Sequence, residues 1–278
     1  MANVVYNKVI GLNDKVLKKY LINKDGNVDF NILIRMPEEL NITRGSGSIP
    51  TSKGAKYVSE ITKAEEKEHE HIYNMLKKAL EESGDTTQQE FVSYCLQDNN
   101  IFNSIADING FSNPYKKDHV TTYLQGFYNL EKYGYKDWYD FRIDKWGCKW
   151  NADNTNTHGS VISFETPWGS PDRIFTELSK HVPVRVMSCD EFGNFGDITD
   201  YIDGEATIVL DDSDAVYDYM FNNDELYVYD DNGDTIEDPT NPLYVQRLKE
   251  YEENYEKVNR LFNKEDFMLS CQKINTCI

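Results

Sequence analysis

Gly159-Ser-Val-Ile-Ser-Phe-Glu165, Pro167-Trp-Gly-Ser-Pro171, Asp172 to Lys180 and Val182 to Cys189 follow one another almost without a break, and their reading decides the fold. The first stretch alternates apolar and polar residues with period two, the mark of a strand buried on one face. Pro167 and Pro171 bracket a turn, because proline fixes its own φ and donates no hydrogen bond. Asp172 to Lys180 reads as a short helix and Val182 to Cys189 as another strand. The order is strand, turn, helix, strand.

The start of the chain repeats that order. Residues 3–10 read as a strand, and Asn13 is a helix N-cap with Asp14 in the first turn of a helix ending near Ile22. Lys24 to Asn27 is a turn. Phe30 to Ile34 reads as a second short strand, closed by Met36-Pro37. Two β-α-β passages separated by helices predict an α+β fold: a ferredoxin-like, split β-α-β sandwich. Residues 41–58 form a Gly/Ser loop. Its glycines do not lead from a strand into a helix at nucleotide-loop spacing, so it reads as a connector.

The block from 60 to 146 reads as helical. Thr62 with Glu65 predicts a capping box for a helix to about Glu82, stopped near Gly84; Thr87 with Glu90 opens a second. Asp118 caps a third and Lys136 to Lys145 forms a fourth. The expected organisation is a core of residues 1–40 with 135–200, an inserted helical block 41–134, and a C-terminal part 201–278.

Charge is distributed unevenly. The 278-residue chain has 29 Lys and Arg against 48 Asp and Glu, a net charge of −19. Residues 186–246 contain no Lys, Arg or His and hold 17 of those acids, leaving −2 for the rest. Such a field repels nucleic acid and anionic lipid and attracts basic proteins. Glu205 to Leu210, Ala215 to Phe221 and Glu225 to Tyr229 are β-branched or aromatic runs, expected to form an acidic β-meander. Pro242 suits the first turn of a last helix. Val245, Leu248, Tyr251, Tyr255, Val258 and Phe262 recur along it three and four apart. That stripe is expected to pack on its own domain, with a homodimer contact as the second reading. No apolar run is long enough to span a membrane and the N-terminus lacks a signal-peptide pattern, so a bacterial host cytoplasm is the expected location. Five scattered cysteines without a CxxC fit a reducing compartment.

Trp146-Gly-Cys-Lys-Trp-Asn-Ala152 resembles the WGTKWNA signature of the Api92-like, or YubB ferredoxin-like, proteins of phages and plasmids. Phe164 to Pro171 resembles the family's TAW-x-x-P turn. Met36-Pro-Glu-Glu39 fits its opening. The resemblance covers roughly residues 1–40 and 135–200; Cys148 stands where the signature has Thr and Pro167 where it has Ala. It implies a ferredoxin-like fold and a mobile-element origin, and no reaction.

Candidate chemistry is sparse. His69-Glu70-His71 has the wrong helical spacing to share one metal ion, and Asp230 to Asp234 lacks the glycine and glutamate of a calcium loop, so neither a metal nor another cofactor is expected. Cys148 lies near Lys149 and His158, but a packed thiol is the simpler account. Trp146, Lys149, Trp150, Asn151 and Trp168 are a candidate pocket, with the alternative that the rings pin a turn onto the sheet. The leading expectation is an accessory protein, not an enzyme, whose acidic ladder mimics nucleic acid and fills the basic groove of a host defence effector of the CRISPR or restriction type. The partner-binding residues would be Asp211, Asp212, Asp214, Asp218, Asp224, Glu225, Asp230, Asp231 and Asp234, with Tyr217, Tyr219, Tyr227 and Tyr229 adding area. The alternatives are a small-ligand or enzymatic role at Trp146–Trp168, or an oligomerising structural protein.

Overall fold

The computed structural model describes residues 3–42, 50–51, 54–55, 63–111, 114–221, 236 and 238–275. The fold is α+β. Its two compact units are residues 1–35 with 143–278, and residues 36–142.

The first unit is built on a six-stranded antiparallel sheet. Its strands are β1 (Val4–Gly11), β4 (Asp153–His158), β5 (Val161–Pro167), β6 (Val184–Asp190), β7 (Gly196–Ile202) and β8 (Glu205–Asp211). The spatial order is β4-β5-β1-β6-β7-β8. Helix α1 (Asp14–Leu21) follows β1, and α7 (Asp172–Ser179) links β5 to β6. Strand-helix-strand, strand-helix-strand, with β1 and β6 adjacent at the centre, is the split β-α-β arrangement. β7 and β8 extend it on one side.

Central strand β6 is buried along its whole length, so the sheet is covered on both faces. On one face Phe175 of α7 packs on Phe164 and Tyr201, with centroids 6.2 and 5.5 Å away. The other face carries Ile10, Met187, Cys189 and Ile198, buried under Ala215, Val216, Val258, Phe262, Phe267 and Cys271. Those residues come from α8 (Ser213–Phe221), α9 (Pro242–Leu261) with its C-cap Phe262, and α10 (Lys264–Asn275). Arg185 fixes this second layer. It is fully buried and binds both Asp200 oxygens, at 2.5 and 2.8 Å, and Asp266 at 2.7 Å. Such a buried pair is costly to break from one side, because the remaining charge loses its partner.

Three expectations are corrected. Phe30 to Ile34 is not a strand: Phe30–Ile32 is a 3₁₀ turn capped by Asp29, whose side chain accepts from the Asn31 amide. Ala215 to Phe221 is not a strand either but lies in helix α8. Asp212 accepts from the Ala215 amide in the manner of a cap, and burial of Ala215 and Val216 holds the helix on β7. Gly196 permits that approach, since a Cβ there would lie 2.9 Å from the Val216 Cβ. The meander is therefore absent at its second strand, while Glu225 to Tyr229 lies outside the described residues. Finally, the C-terminal segment contains two helices, not one.

The second unit packs α2 (Lys63–Ser83), α3 (Gln88–Gln97), α4 (Asn99–Ile108) and α5 (Lys116–Tyr133) around Leu76, Phe91, Ile105, Leu124 and Phe127. Gly84, with φ +71°, follows α2. The Thr87–Glu90 capping box is complete in both directions; Thr62 lies outside the described residues. Two short strands pair at Pro50–Thr51 (β2) and Gly54–Ala55 (β3). Helix α6 (Trp138–Trp146) precedes β4. Among the described residues, no helix is long and apolar enough to cross a membrane.

Candidate functional site

The two ends of the main sheet differ in charge. At one end meet the start of β1, the start of β4, the end of β5, the β6–β7 hairpin and the end of β8. Residues 147–153, 165–173, 190–197 and 211–214 line it. They carry nine carboxylates (Asp153, Glu165, Asp172, Asp190, Glu191, Asp197, Asp211, Asp212, Asp214) against Lys149 and Arg173, and Lys257 of α9 reaches Asp212 from outside them. At the other end, residues 11–14, 158–161, 180–184 and 202–205 carry Asp14, Asp203 and Glu205 against Lys180, with His158 and His181 alongside and Lys264 of α10 reaching Asp14 at 2.8 Å. The negative field is a property of one sheet end as well as of one stretch of sequence.

The carboxylates at the acidic end have different tasks. Asp190 is buried and organises the hairpin: it accepts from the Asn194 amide at 2.6 Å, the Asn194 side chain at 2.7 Å and Asn3 at 3.1 Å. Burial opposes its charge, but these donors hold it below the usual carboxylate range. Asp212 pairs with Lys257 at 2.5 Å; burial again opposes the charge and the lysine outweighs it. Among the described residues, Asp197 has no ion pair of that kind. Burial, followed by the repulsion of Asp172 and Asp211, pushes its carboxyl up to about 6 even though Thr199 donates to it at 2.5 Å. Tyr201 donates to Asp172 at 3.2 Å. Asp211 and Asp214 are exposed.

Of the residues expected to bind a partner, Asp211, Asp212 and Asp214 thus meet at this end. Asp218 does not join them. It is buried, holds Arg247 through both oxygens and accepts from Asn254 at 2.8 Å. Tyr217 is partly exposed at 36 %, whereas Tyr219 is packed against Tyr255. Asp224, Glu225, Asp230, Asp231 and Asp234, with Tyr227 and Tyr229, lie outside the described residues.

The tryptophan-rich segment is chiefly a clasp. Trp146 is fully buried and donates its indole N–H to the Ile34 carbonyl at 2.9 Å. Asn151 accepts from the Phe30 amide at 3.0 Å and donates to Asp29 at 2.8 Å. Cys148 is buried with its thiol 3.2 Å from the Trp150 carbonyl. Gly147 has φ +82°, and a Cβ there would approach the Asp172 amide to 3.1 Å. The signature therefore lies directly on the start of α7. Lys149 sits 5.5 Å from the Trp150 ring centre, and Trp150 is 43 % exposed. His69 is buried while His71 is exposed, so the two rings do not converge. In the C-terminal stripe Val258 and Phe262 are buried within the chain, whereas Val245, Leu248 and Tyr255 are exposed.

Two residues emerge that the sequence did not single out as a pair. Trp168 is 61 % exposed at the turn after β5, and Phe192 is 70 % exposed at the tip of the β6–β7 hairpin. Both flank the first residues of β1: the Trp168 amide donates to the Asn3 carbonyl at 2.7 Å, and the Glu191 amide to the Val4 carbonyl at 2.9 Å. The signal in sequence was local, an aromatic followed by glycine inside a turn.

No family model matches the chain, and no curated protein matches it. Comparison with solved structures finds the crystal structure of a protein api92 from Yersinia pseudotuberculosis, aligned over 76 % of this chain and 99 % of that one at 12 % identity and a TM-score of 0.33. A likeness at that level is a weak structural neighbourhood and nothing finer.

Proposed function

We propose that this protein binds a basic protein surface through the acidic end of its sheet and competes there with nucleic acid. In its specific form, the protein is an accessory of a phage or other mobile element that inhibits a host defence effector of the CRISPR or restriction type. The signature at Trp146–Ala152 motivates the mobile-element origin. One observation carries the binding reading: nine carboxylates meet at one sheet end against Lys149, Arg173 and Lys257, with Asp211 and Asp214 exposed. Carboxylates crowded on a fixed scaffold repel one another, and a cationic groove relieves that repulsion as it would for phosphates.

The proposed surface is smaller than a ladder along a meander. Asp218 stabilises the fold and takes no part in binding. The test is an affinity series against salt with purified effector complexes, with and without their DNA or RNA. Competition with nucleic acid, weakening with salt, and loss of affinity in Asp211→Asn/Asp214→Asn support the proposal. Binding that is indifferent to both salt and these substitutions rejects it.

A further inference from the structure

Trp168 combines three properties rarely found together. Its φ is +72°, in the left-handed region that a bulky side chain enters at a cost. Its ring is mostly exposed, so burial of the indole does not explain the conformation. The turn around it is pinned from both sides. The Trp168 amide is bound to Asn3, Thr166 Oγ1 donates to the Gly169 carbonyl at 2.8 Å, and Ser170 Oγ donates to Asn7 Oδ1 at 3.1 Å. The backbone is thus held in a shape that glycine would adopt freely, while carrying an indole directed outwards.

The surroundings indicate what that ring meets. Trp168 and Phe192 stand on the loops after β5 and β6, which pair with β1 from opposite sides. Strands β5 and β6 thus lie two strand spacings apart, about 10 Å. Glu191, next to Phe192 in the chain, is tied to the start of β1, its carboxylate accepting from the Val4 amide at 3.1 Å. Asp172 opens the helix that follows the Trp168 turn. Exposed aromatic rings on a carboxylate-rich sheet end match a guanidinium, which can stack on a ring while the negative field attracts its charge.

Resting on the acidic-surface reading above, we infer that Trp168 and Phe192 are an aromatic clamp for arginine side chains of the basic protein partner. The carboxylates supply attraction at a distance, and the two rings supply short-range preference for arginine over lysine.

The experiment uses the full chain and fluorescein-labelled octa-arginine and octa-lysine peptides, with affinity read by anisotropy at low salt and thermal unfolding run in parallel. Octa-arginine is expected to bind more tightly than octa-lysine. Trp168→Ala is expected to weaken octa-arginine binding about 3- to 30-fold and to erase most of the preference. Trp168→Gly should weaken binding equally while leaving the melting temperature unchanged or raising it by about 2–4 °C, because it releases the strained φ. Phe192→Ala should reduce affinity with an unchanged melt. If the Asp211→Asn/Asp214→Asn variant loses octa-arginine affinity but the Trp168 variants do not, the clamp is refuted and the acidic surface stands. If octa-arginine fails to bind the wild type, both are refuted. A fall in melting temperature for Trp168→Gly would mean that the ring serves the fold, and would also overturn the clamp.

Discussion

Asp200 and Asp218, beneath and within the C-terminal helical layer, and Asp197, Asp211 and Asp214, at the acidic sheet end, come from the same lysine-free stretch, yet they have opposite fates. Asp200 is matched to Arg185 and Asp218 to Arg247, both arginines lying just outside the stretch. Among the described residues, Asp197, Asp211 and Asp214 form no such ion pair, although Asp214 adds to the negative field on Arg247. Asp212, paired with Lys257, sits at the border between the two groups. A count of charge along the chain treats all of them alike. Folding sorts them into carboxylates that clamp the C-terminal helices and carboxylates left to solvent or to a partner.

That contrast can be broken most severely at Arg185. Arg185→Met should cost about 3–5 kcal/mol, because it leaves Asp200 buried without its cation. Urea unfolding measures this, and loss of less than about 1 kcal/mol would show that the pair is not an anchor. Asp218→Asn should cost less, about 1–3 kcal/mol, since Arg247 stays partly exposed and can hydrate.

At the acidic end the sign reverses. Asp197 has a folded-state pKa of about 6, above its unfolded value, so its charged form opposes folding. The group's contribution to stability is therefore fullest below the unfolded pKa and is lost as pH rises through about 6. Asp197→Asn should stabilise the protein at pH 7.5 by about 1–2 kcal/mol and have little effect at pH 4. Denaturant titrations at both pH values test this; equal effects at both would contradict it. Asp211→Asn, fully at the surface, should change stability by less than about 0.5 kcal/mol in either direction.

The comparison also shows what could be read from the sequence. The β-α-β order was legible because Val161 to Cys189 combines period-two alternation, bracketing prolines and a short helix in one span. The Thr87–Glu90 box was legible because capping is local chemistry. Helix α8 was misread because Ala-Val-Tyr-Asp-Tyr-Met-Phe suits a short strand as well as a helix. The deciding contact, Val216 over Gly196, joins residues twenty apart. Phe30–Ile32 was misread for a similar reason: Asp29 and Asn151 bend the backbone there through hydrogen bonds across the unit. In the candidate site Asp211 and Asp214 were legible as dense charge. Asp218 was not separable from them, since its partner Arg247 comes from another helix. Trp168 was noticed for its residue type, but its exposure and positive φ depend on Asn3 and Asn7, which lie far away in sequence.

The account depends on the acidic sheet end being the surface that receives basic protein. Backbone amide NMR of the deuterated full chain, titrated with octa-arginine, tests that directly. Shifts are expected to be confined to residues 147–153, 165–173, 190–197 and 211–214 and the Trp168 indole, diminishing as salt is added. Shifts centred on Asp14, His158 and Glu205, or on the helical unit 36–142, would contradict it.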